Sequence, residues 1–257
     1  MMLAIDIGNS NVVMAIRQGD EWSHLWRINT QKDEQAELFY NKEIADIFFE
    51  DSIDTSSIEG VILSSVVPTL RPVFYDILTK RYDLDVTIVG PDLYESLSFK
   101  VPRPHQIGTD LVANAYAGYK KYGGKVSVVD FGTAMTITTV NDAGKILGVS
   151  IAPGIKTAMK ALVANTAQLP DIPLELPESV LGNDTIHAMQ AGILWGYVGM
   201  VKEMSSKIRS ELSNDYKLIA TGGLSFIMDE LKEVFYKVDR NLTMDGLYLM
   251  WKDIKTK

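Results

Sequence analysis

The chain has 257 residues, is 46% hydrophobic and carries a formal net charge of −8, which fits one large or two small globular domains and offers no Lys/Arg cluster for a nucleic-acid partner. It has no cysteine, which excludes disulfides, thiol catalysis and Cys-based zinc sites, and its three scattered histidines speak against a His-rich metal centre. No basic start followed by an apolar core and no apolar stretch of about 20 residues is present, so neither a signal peptide nor a membrane span is expected.

The apolar run Leu3 to Ile5 predicts a buried strand that ends in Asp6. Gly8-Asn9-Ser10-Asn11 breaks it, and Val12 to Ile16 resumes as a return strand. A turn with glycine, amide and hydroxyl groups beside a carboxylate suits a phosphate chain partly neutralised by a divalent cation. An ordinary hairpin with Asx-turn chemistry has the same pattern. Trp22 to Ile28 supplies a third strand. Gln35 to Phe49, with Leu38, Ile44, Ala45 and Phe48 at helical spacings, predicts an amphipathic helix. A strand at Gly60 to Ser65, a helix from Thr69 to Tyr82 with Pro72 in its first turn, and a strand at Asp85 to Gly90 complete a βββαβαβ half.

Leu97 to Ile107 contains Pro102 and Pro104 and predicts an extended connection. Thr109 or Asp110 caps a helix that runs to Tyr122, where Gly123-Gly124 ends it. The second half then repeats the opening. In Val126 to Val140, Asp130 matches Asp6, Gly132 matches Gly8 and Thr133 stands near Asn9. Two strand–Asp-x-Gly–strand hairpins, one per half, imply a duplication and two related domains facing a shared cleft.

A third strand at Lys145 to Ile151, a helix from Ile155 to Ala164 and a Pro-rich loop from Gln168 to Pro177 follow. Asn183-Asp184-Thr185 caps a long helix with Ile186, Met189, Ile193, Tyr197, Met200 and Met204 on one face. Gly192, Gly196 and Gly199 inside it suggest close packing against another backbone. A strand at Lys217 to Thr221 delivers Gly222-Gly223, where the missing Cβ lets a flat base or ribose lie against the backbone; such a pair is also a common turn. Two helices, the first ending near Val234 to Tyr236, are expected to complete the chain.

Two such halves resemble the acetate kinase, sugar kinase and actin superfamily. The closer resemblance is to type III pantothenate kinase. It is carried by Asp6-Ile7-Gly8-Asn9-Ser10-Asn11, Gly108-Thr109-Asp110, Asp130-Phe-Gly-Thr-Ala134, Ile151-Ala-Pro-Gly154 with Leu169-Pro170, Thr185 with Ala188 to Gly192, and Thr221-Gly-Gly223. The resemblance implies an α/β fold of two ribonuclease H-like (actin-like ATPase) domains, at 1–108 and at 109–257, the second including dimerisation helices. It implies transfer of the γ-phosphate of ATP to the primary hydroxyl of pantothenate, the first step of coenzyme A synthesis. Mg²⁺, a monovalent cation (K⁺ or NH₄⁺) and a cytoplasmic homodimer come with it.

Residue by residue, the resemblance makes Asp110 the catalytic base and Asp130 the monovalent-cation ligand. Asp6, Ile7, Gly8, Asn9, Ser10, Asn11, Val12, Val13, Thr133, Gly222 and Gly223 would contact ATP. Val101, Gly108, Thr109, Asp110, Leu111 and Thr185 fall at acceptor positions. From the residues alone, Asp110 and Thr185 serve equally as helix caps. The chain departs from the family pattern where an arginine is usual at Leu111, a tyrosine at Val101 and Asn-Pro at Arg103-Pro104. These departures gather on the acceptor side. A kinase for another small hydroxyl compound and a catalytically weak nucleotide-binding regulator are the rival expectations.

Overall fold

A computed structural model describes residues 1–223 and 229–256. The chain forms two compact units. One is built from residues 1–117 and 242–257, the other from residues 118–241.

The first unit holds a five-stranded sheet in the order β3-β2-β1-β4-β5. Strands β1 (Met2–Ile7), β2 (Asn11–Gln18) and β3 (Glu21–Asn29) form an antiparallel meander, and β4 (Gly60–Ser65) and β5 (Val86–Ile88) add in parallel. Side chains alternate across a strand, so Leu3, Ile5 and Ile7 share one face of β1. They pack with Tyr40, Ile44 and Phe48 of α1 (Ala36–Glu50) and Leu70 and Phe74 of α2 (Leu70–Asp76). Burying each such side chain contributes about 1.5–3 kcal/mol. Leu38, expected on the buried face of α1, is exposed; Ala36, Tyr40, Ile44 and Phe48 form that face at strict i, i+4 spacing. Helix α2 continues into a π-wound stretch, Ile77–Arg81.

Asp6 points to the other face of the sheet. Helix α3 (Pro91–Ser96), absent from the sequence reading, and the loop after it lead to α4 (Thr109–Tyr122). Two glycines of positive φ, Gly123 and Gly124, end α4 as expected. The first nine residues of α4 belong to the first unit, as does α8 (Leu242–Lys255), which packs on β1 and β4. A Cβ on Gly246 would stand 2.0 Å from the carbonyl oxygen of Ala113, so α8 meets α4 backbone to backbone. The hydroxyl of Thr243 donates to Asn114 Oδ1 at 2.8 Å beside that contact.

The second unit repeats the plan, with sheet order β10-β9-β6-β7-β8. Strands β6 (Val126–Phe131), β7 (Ala134–Val140) and β8 (Ile146–Pro153) form the meander, and β9 (Lys217–Thr221) joins β6 in parallel. Asp6 lies opposite Val13 and Ser64, and Asp130 lies opposite Thr136 and Thr221, which are equivalent positions in the two sheets. Helix α5 (Ile155–Ala164) has the expected bounds. The expected long helix is α6 (Thr185–Gln190), a π-wound Ala191–Trp195 and α7 (Gly196–Glu211). Its buried face carries Met189, Leu194, Tyr197, Val198 and Val201, whereas Ile186 and Met200 are exposed. The extra residue of a π turn rotates the helix against the 3.6 pattern. No atom of the chain beyond the helix itself comes within 4 Å of a Cβ built on Gly192, Gly196 or Gly199, so they make no close backbone packing within the described residues.

The helix expected to end near Val234 to Tyr236 falls partly on residues 224–228, which lie outside those described. After them come a 3₁₀ turn at Asp229–Leu231 and the short strand β10 (Lys237–Val238), which pairs with β9.

Candidate active site

In the first unit, the turn between β1 and β2 is closed by Gly8 N–H donating to the Asn11 carbonyl at 2.9 Å. Thr30, just past β3, braces the same turn: its hydroxyl donates to the Gly8 carbonyl at 2.7 Å and its N–H to the Ser10 carbonyl at 3.0 Å. Lys32 Nζ donates to Asn9 Oδ1 at 2.9 Å, which sets a cation at the turn. The backbone of residues 7–13 is thereby fixed, with Asn9 and Ser10 exposed at its tip.

Behind the turn, a hydroxyl chain joins Asp6 to the start of α4. The fully buried Ser64 donates from Oγ to Asp6 Oδ1 at 2.7 Å and lies 2.9 Å from Thr109 Oγ1. A serine hydroxyl has one proton, which here is committed to Asp6. Thr109 is therefore the donor to Ser64. The structure thus links Asp6, just before the Gly8–Asn11 turn, to Gly108-Thr109-Asp110 through a residue the sequence reading assigned only to a strand. No motif marks Ser64, because its two partners lie 58 and 45 residues away in sequence.

Asp110 stands in the first turn of α4, and its Oδ1 accepts the Leu111 N–H at 2.8 Å. A Cβ on Gly108 would come 2.4 Å from Asp110 Oδ1, so any larger residue there would push the carboxylate aside. Burial pushes the Asp110 carboxyl above the usual carboxylate range, against the two backbone N–H groups that lower it. A carboxylate held above its ordinary pKa at a helix N-terminus is a stronger base that the helix dipole still favours in its ionised form. Leu111 is buried at 8% exposure, whereas Arg103 is exposed, with φ of 51°. Leu111→Arg would place a charge in that buried position, so the melting temperature is expected to fall by several degrees, which a thermal melt checks. Val101 is half-buried in the connection between α3 and α4.

In the second unit, Asp130 closes β6 and Gly222 follows β9 beside it. Gly222 has φ of 95°, and a Cβ there would come 2.5 Å from Asp130 Oδ1 and 2.7 Å from the Phe131 backbone. Only glycine fits, because the turn after β9 lies directly on the carboxylate. The second hairpin is closed by Gly132 N–H donating to the Ala134 carbonyl at 3.1 Å. Thr133 at its tip is exposed, and its carbonyl accepts Gly154 N–H at 2.9 Å and the Thr157 hydroxyl at 2.7 Å. Gly154 is equally obligatory, since its Cβ would stand 2.2 Å from the Gly132 carbonyl. Asp130, Thr133 and Gly222 are thus gathered, with exposed Gly223 next in chain. Thr185 is exposed and opens α6, but the cap is Asp184, whose Oδ1 accepts the His187 N–H at 2.8 Å.

Two like sheets, each with a carboxylate at the end of its first strand and a phosphate-type turn after it, define the fold of the acetate kinase, sugar kinase and actin superfamily. Solved structures agree on this fold. A Baf family transcriptional activator from Campylobacter jejuni superposes with a TM-score of 0.62 at 19% identity, over 99% of this chain and 100% of that one. An inorganic polyphosphate/ATP-glucomannokinase from an Arthrobacter strain gives 0.51 at 16% identity, over 100% and 99%. A family model for type III pantothenate kinase matches residues 2–207, and the type III pantothenate kinase of Brevibacillus brevis is 38% identical over 252 residues, 98% of each chain. The chain belongs to the type III pantothenate kinase family.

Proposed function

We infer that the chain transfers the γ-phosphate of ATP to the primary hydroxyl of pantothenate, giving 4′-phosphopantothenate, the first step of coenzyme A synthesis. Membership of the family over nearly the whole length carries this reading. Asp110 is the general base. As the acceptor oxygen bonds to phosphorus and the bond to the ADP oxygen breaks, the hydroxyl proton passes to the Asp110 carboxylate. Gly108, Thr109, Leu111, Val101 and Thr185 are acceptor-side positions.

The Asp6–Val13 turn, Thr133 and Gly222-Gly223 hold ATP. Backbone N–H groups and the Asn and Ser side chains supply the donors that phosphate oxygens need. The described residues contain no cluster of three metal-ligating side chains. That fits Mg²⁺ carried mainly by nucleotide phosphates, with Asp6 as a single carboxylate beside them. Mg²⁺ supplies neutralisation of phosphate charge. A monovalent cation, K⁺ or NH₄⁺, is assigned to Asp130.

The chain is further read as a cytoplasmic homodimer; no helix among the described residues is long and apolar enough to cross a membrane. The face of α7 and its π-wound lead-in bearing Gly192, Gly196 and Gly199 is open enough to admit a second backbone. A coupled ADP-release assay with and without pantothenate, in potassium and in sodium buffers, tests the reading. Turnover that needs pantothenate and potassium is the expected result. ATP binding without turnover on pantothenate would favour a regulatory protein, and turnover only on another alcohol would favour a different kinase. Sedimentation at twice 28.5 kDa is expected for the dimer.

A further inference from the structure

Two serines close β4, and their hydroxyls do different things. Ser65 turns back on its own chain, donating to the Val67 carbonyl at 2.9 Å and accepting the Val67 N–H at 3.1 Å. Ser64, fully buried, reaches across two other elements: it donates to Asp6 of β1 at 2.7 Å and accepts from Thr109 of α4 at 2.9 Å. With Asp6 ionised, every proton in this series points toward the carboxylate. The start of α4 has little else to fix it along the chain. The connection before it, residues 97–108, is an irregular loop with Arg103 at a φ of 51°, so continuity with α3 does not set where Asp110 stands. The second sheet carries a matching pair: Asp130 lies opposite the buried Thr221 of β9, as Asp6 lies opposite Ser64 of β4. A hydroxyl residue on the parallel neighbour of the carboxylate strand thus occurs in both halves.

We propose that Ser64 is a positioning residue for phosphoryl transfer: its hydroxyl holds the Asp6 carboxylate beside the Gly8–Asn11 turn and, through Thr109, the first turn of α4, so that the phosphate side and the base keep one spacing. The proposal rests on the reading of Asp110 as base and of the Asp6–Val13 turn as part of the ATP site. Transfer needs the attacking oxygen about 3–3.5 Å from phosphorus, and misplacing a reacting group by about 1 Å costs on the order of 10²-fold in rate. An O–H···O bond keeps its oxygens within about 2.5–3.0 Å, so two in series hold their ends more tightly than an irregular loop does. Ser64 touches neither nucleotide nor acceptor; it acts through Asp6 and Thr109.

Ser64→Ala is expected to lower kcat about 10-fold, with pantothenate KM and ATP affinity, read by calorimetry, within about threefold of wild type. Its melting temperature falls by a few degrees, because Asp6 and Thr109 each lose a bond. Ser64→Thr keeps the hydroxyl, and threonine already holds the equivalent place in the second sheet, so kcat is expected to return to within about threefold of wild type. Wild-type kcat in a folded Ser64→Ala, whatever its melting temperature, would overturn the proposal and leave Ser64 a structural hydroxyl. So would a kcat loss in Ser64→Thr equal to that in Ser64→Ala. Should Ser64→Ala not fold, the series is cut from its other end: Thr109→Val is expected to lose kcat to a like extent and Thr109→Ser to keep it, and wild-type kcat in Thr109→Val would overturn the proposal. The double variant Ser64→Ala/Thr109→Val is expected to be no slower than the slower single, since both cut one series; losses that multiply would overturn it. Asp110→Asn measured in parallel separates the two readings. Full turnover in that variant rejects the base, whereas an inactive Asn variant beside wild-type kcat in Ser64→Ala rejects the role of Ser64 alone.

Discussion

Asp110→Asn lowers turnover by roughly 10²-fold or more while ATP binding, read by calorimetry, stays at the wild-type level. The amide keeps the size of the side chain and an oxygen for the Leu111 N–H, but it cannot take a proton. Near-normal turnover with pantothenate would reject Asp110 as base. The same variant makes a second, opposite prediction for stability. Burial lifts the folded-state pKa of Asp110 above its ordinary value of 3.8. Between the two values the folded chain binds more protons than the unfolded chain, so stability falls as pH rises through that interval. Above it, the wild type holds a destabilising charge in full. Asparagine has no such charge, so the variant melts higher at neutral pH, and the difference closes as pH falls below about 3.8. A base that is costly to keep ionised and a scaffold that stabilises on losing it are two faces of one residue.

Asp130→Ala is expected to lower turnover roughly 10-fold or more in potassium buffer and to leave the remaining activity equal in potassium and sodium. The carboxylate sits where β6, β9 and the Gly222 turn converge, and Thr221 lies opposite it in register. Its removal takes a full negative charge from that junction. Equal wild-type activity in the two buffers would count against a cation role for Asp130. A lower melting temperature in the variant, with its ion preference unchanged from wild type, would make Asp130 a hairpin-bracing residue only.

Strands β4 and β9 were legible to the residue because each is a short, mostly apolar run beside glycine, and helix α5 because Pro153-Gly154 marks its start. The duplicated hairpin was legible because Asp-x-Gly recurs after an apolar strand. What escaped were features made by distant residues. The face of α1 was misplaced because Leu38 has the right hydrophobicity and the wrong azimuth. The α6–α7 helix was misread because the π-wound stretch Ala191–Trp195 cannot be seen in a 3.6-residue pattern. The glycines at 192, 196 and 199 implied a close neighbour that the described residues do not provide. Ser64 is an ordinary strand residue until its burial and partners are known. The departure from the family pattern at position 111 was legible in the sequence, but not that Leu111 is a buried residue of its helix.

The return of α8 to the first sheet has a consequence for biogenesis. Chains usually fold their N-terminal part first as they leave the ribosome. Here β1 to β5 appear early, yet the face of the sheet carrying Asp6 lacks α8 until residues near 250 have been made. During that wait the Gly60 and Ala113 surfaces that receive Trp251 and Gly246 are bare. The unit spanning residues 118–241 is fully synthesised in the meantime, and its sheet needs nothing from outside that span. The order of closure is thereby inverted: the later-encoded unit can complete its sheet first, and the earlier one waits for its closing helix.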